Sequence, residues 1–275
     1  MSGKLYVVGT PIGNLGDISP RALETLSSVD FIAAEDTRVT LKLLNHFDIH
    51  KPLESYYEHN KERKTEFIIN RLKNGEKCAI VSDAGMPAIS DPGEDLVREC
   101  RRCGIEVESV PGPSAVITAL AASGMKSGRF CFEGFLSADK GERKAHLESL
   151  VREQRTMIFY EAPHKLRTTI ADMLGALGDR EVAFCRELTK LHEQVLKMRL
   201  SDAVEYYKEN APRGEFVLVV EGAAPEEEKV YTLTDAAEMA KTLMEKGMGA
   251  SAAAKEAAAI CGIKKGDIYK ALTEM

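Results

Sequence analysis

The chain of 275 residues contains 44% hydrophobic and 29% charged residues and carries a formal net charge of −6. This composition excludes a disordered chain, and the acidic balance counts against a protein that coats nucleic acid non-specifically. The length predicts two substantial domains with room for a small third unit, and the absence of a long apolar run or a signal-peptide pattern predicts a cytoplasmic protein without membrane contact.

The first 125 residues alternate between strand-like and helical segments. Regular alternation predicts a mainly parallel sheet with helices on both faces, so we expect an α/β domain over residues 1–125. Ser19 followed by Pro20 marks one helix start. The predicted strands are KLYVVG, VDFIAAE, KCAIVSDAG and IEVESVPG, and the predicted helices are SPRALETLSS, TRVTLKLLNHF, KERKTEFIINRLKNG, GEDLVRECRRCG and PSAVITALAASG, the last starting at Pro113.

A second α/β domain is predicted over residues 126–224. REVAFCREL passes directly into HEQVLKMRL without a helix, which predicts an antiparallel strand pair and hence a mixed sheet. The other predicted strands are RFCFEGF, RTMIFYEA and EFVLVVEG, the helices are HLESLVRE, HKLRTTIADMLGALG and SDAVEYYKENA, and SADKGERK is a polar loop.

The C-terminal part of the chain has a different composition. GAAPEEEKVYTL has the proline and acid content of a linker. Residues 230–275 then predict three helices, broken at Gly247-Met248-Gly249 and at Gly262, with helix-turn-helix spacing in the last two. Because this pattern is short and common, a small helical module that packs on the body is favoured over nucleic-acid binding.

The cysteines and histidines do not predict a metal site. Six cysteines are scattered along a long chain, which is not a disulfide framework. Cys100 and Cys103 form a CxxC within a helical segment, without a second pair at zinc-ligand spacing, and His46 and His50 have no third ligand in view.

Three glycine-rich breaks follow predicted strands, where open parallel sheets place their ligands. The first, VVGTPIGN, lacks the GxGxxG order of a dinucleotide loop, and Pro11 removes a backbone donor. The second, VSDAGMPAISDPGEDL, is the most specific: it predicts an ordered loop whose backbone approaches a ligand at Gly85 and Ala88, although capped turns alone would account for Asp91-Pro92-Gly93. The third is VPGPSA, with Ser114 near a helix start. Together they predict a ligand cleft.

The segments VGTPIGN, AEDTR, VSDAGMPAISDPG, VPGPSA and FYEAPHKL, in this order, resemble the tetrapyrrole methylase superfamily. Within it they resemble the branch that methylates a cytidine 2′-hydroxyl of small-subunit ribosomal RNA. The resemblance implies two α/β domains with S-adenosylmethionine (SAM) in the cleft between them, a homodimer, and 16S ribosomal RNA, within the small subunit, as the partner. GTPIGN and SDAGMP stand where corrin-making enzymes carry GxGPGD-like and GGDP-like loops, which favours an RNA acceptor.

The resemblance also implies which residues bind SAM. They come from the three glycine-rich loops and from strand ends of the second domain. The implied cofactor-binding residues are Pro11, Asp83, Ala84, Gly85, Ala88, Ile89, Ser90, Ser114, Ala115, Phe159, Tyr160, Gly214 and Phe216.

Methyl transfer from a sulfonium requires an aligned acceptor oxygen and a base or cation that handles its proton. The polar clusters in AEDTR, YEAPHK and RELTK lie at ends of neighbouring predicted strands. We hypothesise that they act in catalysis, with Asp36, Arg38, Glu161 and Lys190 as the catalytic residues and Glu35, His164, Lys165 and Glu187 in the same cluster. Alternatively, Glu35-Asp36-Thr37 caps the following helix, His164 caps the next helix, and Glu187 with Lys190 is an ordinary ion pair.

RNA contact would require basic surface, for which Lys61–Lys64, Lys140–Lys144 and Lys264-Lys265 are candidates. Each is also typical of a solvated face. Two other functions stay open: SAM-dependent methylation of a tetrapyrrole or diphthine-type acceptor, and a non-catalytic RNA-binding assembly module.

Overall fold

The computed structural model of the chain describes residues 3–225 and 231–274. The chain divides into two compact units, residues 1–223 and 224–275. The first unit contains two sheets, so the predicted boundary between residues 125 and 126 lies inside it. The acidic tract of the predicted linker, residues 226–230, lies outside the described residues.

The first sheet has five parallel strands in the order β3-β2-β4-β1-β5, which confirms the predicted parallel arrangement. Lys4 is opposite Lys77 on one side and Glu106 on the other. The short strand β3 was not predicted, because three residues are too few to display a period. The strands are β1 (Lys4–Val8), β2 (Phe31–Ala34), β3 (Leu53–Ser55), β4 (Lys77–Val81) and β5 (Glu106–Val110).

Helices cover both faces of this sheet because alternate strand residues point to opposite sides. Leu5 and Val7 pack with helices α3 and α4, whereas Val8 packs with α1 and α2. The Ser19 hydroxyl caps α1 by accepting a hydrogen bond from the Ala22 amide. The helices are α1 (Pro20–Ser28), α2 (Thr37–His46), α3 (Lys61–Lys73), α4 (Gly93–Arg102) and α5 (Ala115–Ala122).

The second sheet is mixed, as predicted, with strand order β6-β7-β10-β8-β9. Strands β6 and β7 are parallel, and every other neighbouring pair is antiparallel, including the predicted pair β8 and β9. The strands are β6 (Phe130–Phe135), β7 (Thr156–Glu161), β8 (Glu181–Arg186), β9 (Gln194–Arg199) and β10 (Phe216–Val220).

The second sheet is also covered on both faces. One face packs against α6 (Lys140–Ser149), α7 (Pro163–Leu177) and α8 (Leu200–Glu209). The opposite face packs against α5, through Val116, Ala119 and Leu120. Helix α5 was predicted as part of the first domain, so its packing joins the two sheets. The boundaries 1–125 and 126–224 stay predictions.

Two predicted helix starts were wrong. Helix α6 begins at Lys140 rather than at His146, because the Asp139 carboxylate caps it by accepting from the Glu142 amide at 2.9 Å. Residues 140–144 are therefore helical rather than a loop, and Arg143 is buried in an ion pair with Asp172 (2.7 Å). Helix α5 begins at Ala115, two positions after Pro113, with Ser114 at the N-cap.

The C-terminal unit consists of three helices, as predicted: α9 (Leu233–Glu245), α10 (Ala250–Cys261) and α11 (Lys265–Glu274). A capping box between Thr232 and Asp235 starts α9, and Gly262, in the left-handed region with φ +68°, ends α10. Small alanines and Ile268 form the core of this unit. Among the described residues, no helix is both long enough and apolar enough to cross a bilayer.

Candidate functional site

A crevice opens at the carboxyl end of the first sheet because two chain connections leave in opposite directions. Strand β1 leads to β2, beyond β4, whereas β4 leads to β5, beyond β1. Ligands of open α/β sheets bind where connections diverge in this way. Two neighbouring clefts lie here, and they are described below as the first cleft and the second cleft.

Close backbone contacts join the three glycine-rich loops. Thr10 and Gly85 exchange two backbone hydrogen bonds, of 2.9 and 3.1 Å, and the Thr10 hydroxyl donates to the Ser82 carbonyl. A Cβ on Gly9 would lie 2.7 Å from the Gly112 Cα, closer than real side chains allow. The glycines therefore permit a contact that fixes the loops against one another.

The loop between β4 and α4 has a strained backbone. Ala88 and Ser90 have φ of +66° and +62°, a region that costs a non-glycine residue about 1–3 kcal/mol. The Asp91 carboxylate holds the turn by accepting from the amides of Ala88 (2.8 Å) and Gly93 (2.9 Å). Asp91 therefore has the turn-capping role that the sequence left open, and the loop keeps its strain next to the crevice.

The first cleft has a volume of about 510 Å³ and an acidic lining. Five carboxylates line it, whereas none of its lining residues, all within the described ranges, is a lysine, arginine or histidine. The Phe135 ring, which is 60% exposed, lies 5.3 Å from the Tyr160 ring and adds aromatic surface. The carboxylates belong to Glu35, Asp83, Asp91, Glu161 and Glu215.

Most of the residues predicted to bind the cofactor surround the first cleft. They are Asp83, Ala84, Gly85, Ile89, Ser90, Ser114, Ala115, Tyr160 and Phe216. Four others are not part of its lining. Pro11 lines the second cleft. The Phe159 side chain is buried among α6–α8 because it points to the opposite face of β7 from Tyr160. Ala88 lies in the strained turn, and Gly214 contacts Glu187.

Burial changes the acidity of two carboxyls in the first cleft. It raises the pKa of Glu35, and the nearby carboxylates of Asp83 and Asp91 raise it further. Burial also raises the pKa of Asp83, whose Oδ1 accepts from the Asp36 amide at 3.0 Å. Asp83 lines both clefts, so a carboxyl with a raised pKa lies at their common wall.

Asp36 and Arg38, both predicted to be catalytic, form a pair beside the clefts and line neither. Asp36 caps α2 by accepting from the Arg38 amide at 2.8 Å, and its carboxylate also binds the Arg38 guanidinium at 3.0 and 2.6 Å. These hydrogen bonds lower the pKa of Asp36 to about 2. The capping alternative therefore describes Asp36, and its carboxylate is a weak base.

Glu161, also predicted to be catalytic, lies in the lining of the first cleft but is only 3% exposed. Its carboxylate accepts from the Thr169 hydroxyl at 2.5 Å and from the Ala162 amide at 2.8 Å. Both contacts fasten the end of β7 to the start of α7. Glu161 therefore helps to hold the wall of the first cleft in place.

The second cleft, of about 430 Å³, lies on the other side of a common wall. Ile12, the Ser82–Ala84 segment and Glu215 line both clefts. The second cleft differs by containing two lysines, Lys42 and Lys190, and apolar side chains of α2 and the first loop. The residues found only in the second cleft are Thr10, Pro11, Gly13, Leu15, Val39, Thr40, Lys42, Leu43 and Lys190.

Lys190 is held between two carboxylates. Its Nζ lies 3.0 Å from Glu187 Oε1 and 2.7 Å from Glu215 Oε2. Burial by itself would lower the pKa of Lys190, but the hydrogen bonds to Glu215 and Glu187 outweigh it and raise the pKa. Lys190 therefore stays protonated at neutral pH and provides a fixed positive charge.

Two glycines make room for this loop. Glu187 and Thr189 have φ of +51° and +66°, and the buried Thr189 hydroxyl oxygen has no hydrogen-bond partner among the described residues. A Cβ on Gly13 would lie 2.5 Å from Lys190 Cγ, and one on Gly214 would lie 2.6 Å from Glu187. Gly214, predicted to bind the cofactor, leaves room for Glu187, and its contact with the cofactor stays a prediction.

Several lining residues were not predicted from the sequence. Glu215 lies between the predicted Gly214 and Phe216 and could have been included with them. Phe135 ends a strand that runs parallel to β7, so its position beside Tyr160 follows only from the sheet order. Lys42 has the spacing of a solvated helix face and gives no signal.

The other predicted groups lie elsewhere. Lys61 pairs with Glu58 and Asp95, and Lys64 pairs with Glu54, so this basic run is largely neutralised. Lys265 donates to Ser251 in the C-terminal unit. Within the described residues, no three potential metal ligands come together.

Comparisons with known proteins agree with this geometry. A family model described as Tetrapyrrole (Corrin/Porphyrin) Methylases matches residues 4–204. The chain is 46% identical to Ribosomal RNA small subunit methyltransferase I of Synechocystis sp., over 99% of this chain and 98% of the relative. It is 46% identical to the Bacillus subtilis protein of the same name, over 98% and 94%. The chain belongs to the ribosomal RNA small subunit methyltransferase I family.

A shorter member of the ribosomal RNA small subunit methyltransferase I family, from Thermotoga maritima, is 51% identical over 80% of this chain and 99% of its own length. Solved structures share the fold at low identity. Cobalt precorrin-4 methyltransferase has a TM-score of 0.59 at 18% identity, covering 79% of this chain and 94% of that chain. Diphthine synthase has a TM-score of 0.60 at 15% identity, covering 80% and 90%. A complex of uroporphyrin-III C-methyltransferase from Thermus thermophilus with S-adenyl homocysteine has a TM-score of 0.55 at 19% identity, covering 79% and 97%. These likenesses bear on the fold alone.

Proposed function

We propose that this protein transfers a methyl group from SAM to the 2′-oxygen of a cytidine ribose in 16S ribosomal RNA of the small ribosomal subunit. The observation that carries the proposal is the acidic first cleft at the divergence of β1 and β4. It occurs in a chain whose relatives are named for methyl transfer to this RNA.

The residues of the first cleft fit SAM. SAM carries a positive sulfonium and an ammonium against a single carboxylate, and the acidic lining would attract this net positive charge. The same lining would repel the phosphates of a dinucleotide. The rings of Phe135 and Tyr160 offer apolar surface for an adenine, and the Asp83–Ser90 loop and the Ser114-Ala115 turn offer polar groups. We propose these residues as the cofactor site.

When bound, SAM supplies a methyl group on a positively charged sulfur, so that the methyl–sulfur bond breaks as a methyl–oxygen bond forms and S-adenosylhomocysteine is left. The protein must then align the ribose hydroxyl and accept its proton. Asp83 is suited to accept the proton, because it lines both clefts and burial brings its pKa nearer to neutrality. The Asp36 amide holds one of its oxygens and leaves the other available.

Lys190 would act as a fixed positive charge and not as a proton acceptor. Its raised pKa keeps it protonated, so it cannot take a proton from the hydroxyl. A fixed ammonium beside the common wall would stabilise negative charge that develops on the ribose oxygen. Its two carboxylate partners keep it in place.

The other residues predicted to be catalytic would position neighbouring groups. Asp36 and Arg38 fix the start of α2 and, through the Asp36 amide, the orientation of Asp83. Glu161 fixes the wall of the first cleft. Their direct participation stays a prediction.

An acceptor assay tests the proposal and its alternatives. The protein would be incubated with methyl-labelled SAM and, separately, with unmodified small subunits, naked 16S RNA, a porphyrinogen, or an elongation factor. We expect label in small-subunit RNA that nuclease digestion releases as 2′-O-methylcytidine. Label in the porphyrinogen or the protein factor would support the alternative acceptors. Cofactor binding without any transfer would support the assembly module.

The homodimer implied by the resemblance is also a proposal. Light scattering of the purified chain would measure it, and a monomeric mass at working concentrations would reject it.

A further inference from the structure

The second cleft has no assigned ligand, although it shares a wall with the first. Its volume of about 430 Å³ lies within the usual range for small-ligand sites, roughly 300–1,000 Å³. It contains both ammonium groups and apolar side chains, a combination that the first cleft lacks.

We propose that the second cleft receives the target nucleotide, extruded from its RNA strand, and that Lys42 is a phosphate contact of this site. This inference rests on the proposed function, since it assigns the acceptor side of the same reaction centre.

The charges of the second cleft match a nucleotide. Lys42 is exposed on α2 and forms no salt bridge with another described residue, so its ammonium is available for a phosphate. Lys190 is held by Glu187 and by Glu215, which lines both clefts, so its ammonium lies beside the common wall, where the proposed mechanism places the reacting hydroxyl. The cleft therefore contains one cation for the RNA backbone and one for the reaction centre.

The apolar surface of the second cleft matches a base. Leu15 and Val39 are 41% and 39% exposed, and Leu43 lies beside them. Proteins that extrude a nucleotide hold its base between aromatic or apolar side chains and read its edge by hydrogen bonds, and the aliphatic side chains here provide such an apolar surface. Glu215 and Asp83 at the common wall offer carboxylate oxygens to hydroxyl or amino groups.

The test compares matched charge reversals in the full-length protein. Lys42→Glu places an acid in the second cleft, whereas Lys77→Glu makes the same change at the amino end of β4, the far edge of the sheet. For Lys42→Glu we expect the KM for unmodified small subunits to rise about tenfold, with SAM affinity by calorimetry unchanged. Lys77→Glu should stay within about twofold of the unaltered protein, as expected for an exposed lysine that contacts no phosphate. Equal KM values for the two variants would overturn the proposal, as would a loss of SAM affinity in Lys42→Glu.

A second pair tests the apolar wall. Leu15→Asp should weaken binding of a short, fluorescein-labelled, cytidine-containing single-stranded RNA, measured by anisotropy. Leu41→Asp, which alters an exposed leucine of α2 outside the cleft lining, should not. Equal affinities in this pair would reject a base contact at Leu15. Because binding is read without turnover, failure here is distinct from failure of the methylation assay, which would reject the proposed function itself.

Discussion

The two clefts share a wall but differ in the charge of their linings. The first is lined by five carboxylates without a basic residue among its lining, whereas the second adds Lys42 and Lys190 to two of those acids. The same strand ends and loops support both. The difference shows that a few side chains, contributed by α2 and by the loop after β8, are enough to change an acidic lining into one that contains two lysines and two acids.

Asp83, at the common wall, should show the largest effect. Asp83→Asn keeps the hydrogen bond from the Asp36 amide but removes the proton acceptor, so the methyl-transfer rate should fall about 10²-fold or more. In the unaltered protein the rate should decline as pH falls through the raised pKa of Asp83, at a higher pH than an ordinary aspartate would give, because only the ionised form accepts a proton. Single-turnover rates across pH measure both.

Asp48→Asn, the same change at an exposed aspartate after α2, is the control for Asp83. Unchanged single-turnover rates in Asp83→Asn would remove Asp83 from the mechanism. An acid limb that persists in that variant would assign the titration to another group.

Lys190 should show the next effect. Lys190→Ala removes the charge at the wall and leaves Glu187 and Glu215 unneutralised, so the rate should fall about tenfold to a hundredfold, with Lys190→Arg restoring part of it. Lys197→Ala breaks a salt bridge to Glu181 in the same sheet and should leave the rate unchanged. Steady-state kinetics would distinguish them, and wild-type kcat in Lys190→Ala would contradict the assignment.

Gly214 tests whether the loop after β8 depends on the absence of a side chain at this position. Gly214→Ala places a Cβ at φ +81° and 2.6 Å from Glu187, and should lower the free energy of unfolding by about 1–3 kcal/mol. Gly175→Ala, in the exposed interior of α7 with nothing within 4 Å, should instead stabilise by about 0.5–1 kcal/mol. Urea denaturation measures both free energies of unfolding. Similar midpoints for the two variants would show that the loop containing Glu187 can move aside.

Glu35 tests the first cleft and should show the smallest effect. Glu35→Gln keeps the shape of the side chain and removes one negative charge. Its affinity for SAM, which has a positive sulfur, should therefore fall about threefold to tenfold more than its affinity for S-adenosylhomocysteine, whose sulfur is uncharged. Exposed Glu24→Gln should alter neither. Calorimetry with both compounds gives the ratio, and an equal loss for both would mean that Glu35 does not sense the sulfonium.

The sequence predicted the secondary structure well wherever the residues that determine an element are neighbours in the chain. The Ser19-Pro20 start of α1, the antiparallel β8 and β9, and the helix breaks at Gly247 and Gly262 each depend on neighbouring residues only. The glycine-rich loops were likewise recognised because glycine, proline and aspartate in one segment cannot continue a strand or helix. The start of α6 was missed because the Asp139 cap was read as part of a polar loop.

The sequence by itself determined the alternation of strands and helices, the loops that approach the crevice and, through resemblance, the family. Only the tertiary structure decided that Phe159 points away from the cleft while Tyr160 faces it, that α5 packs on the second sheet, and that Glu215 and Lys42 come near Lys190. The physical reason is that local conformation depends on adjacent residues, whereas the two clefts depend on strand order, which brings together side chains far apart in the chain.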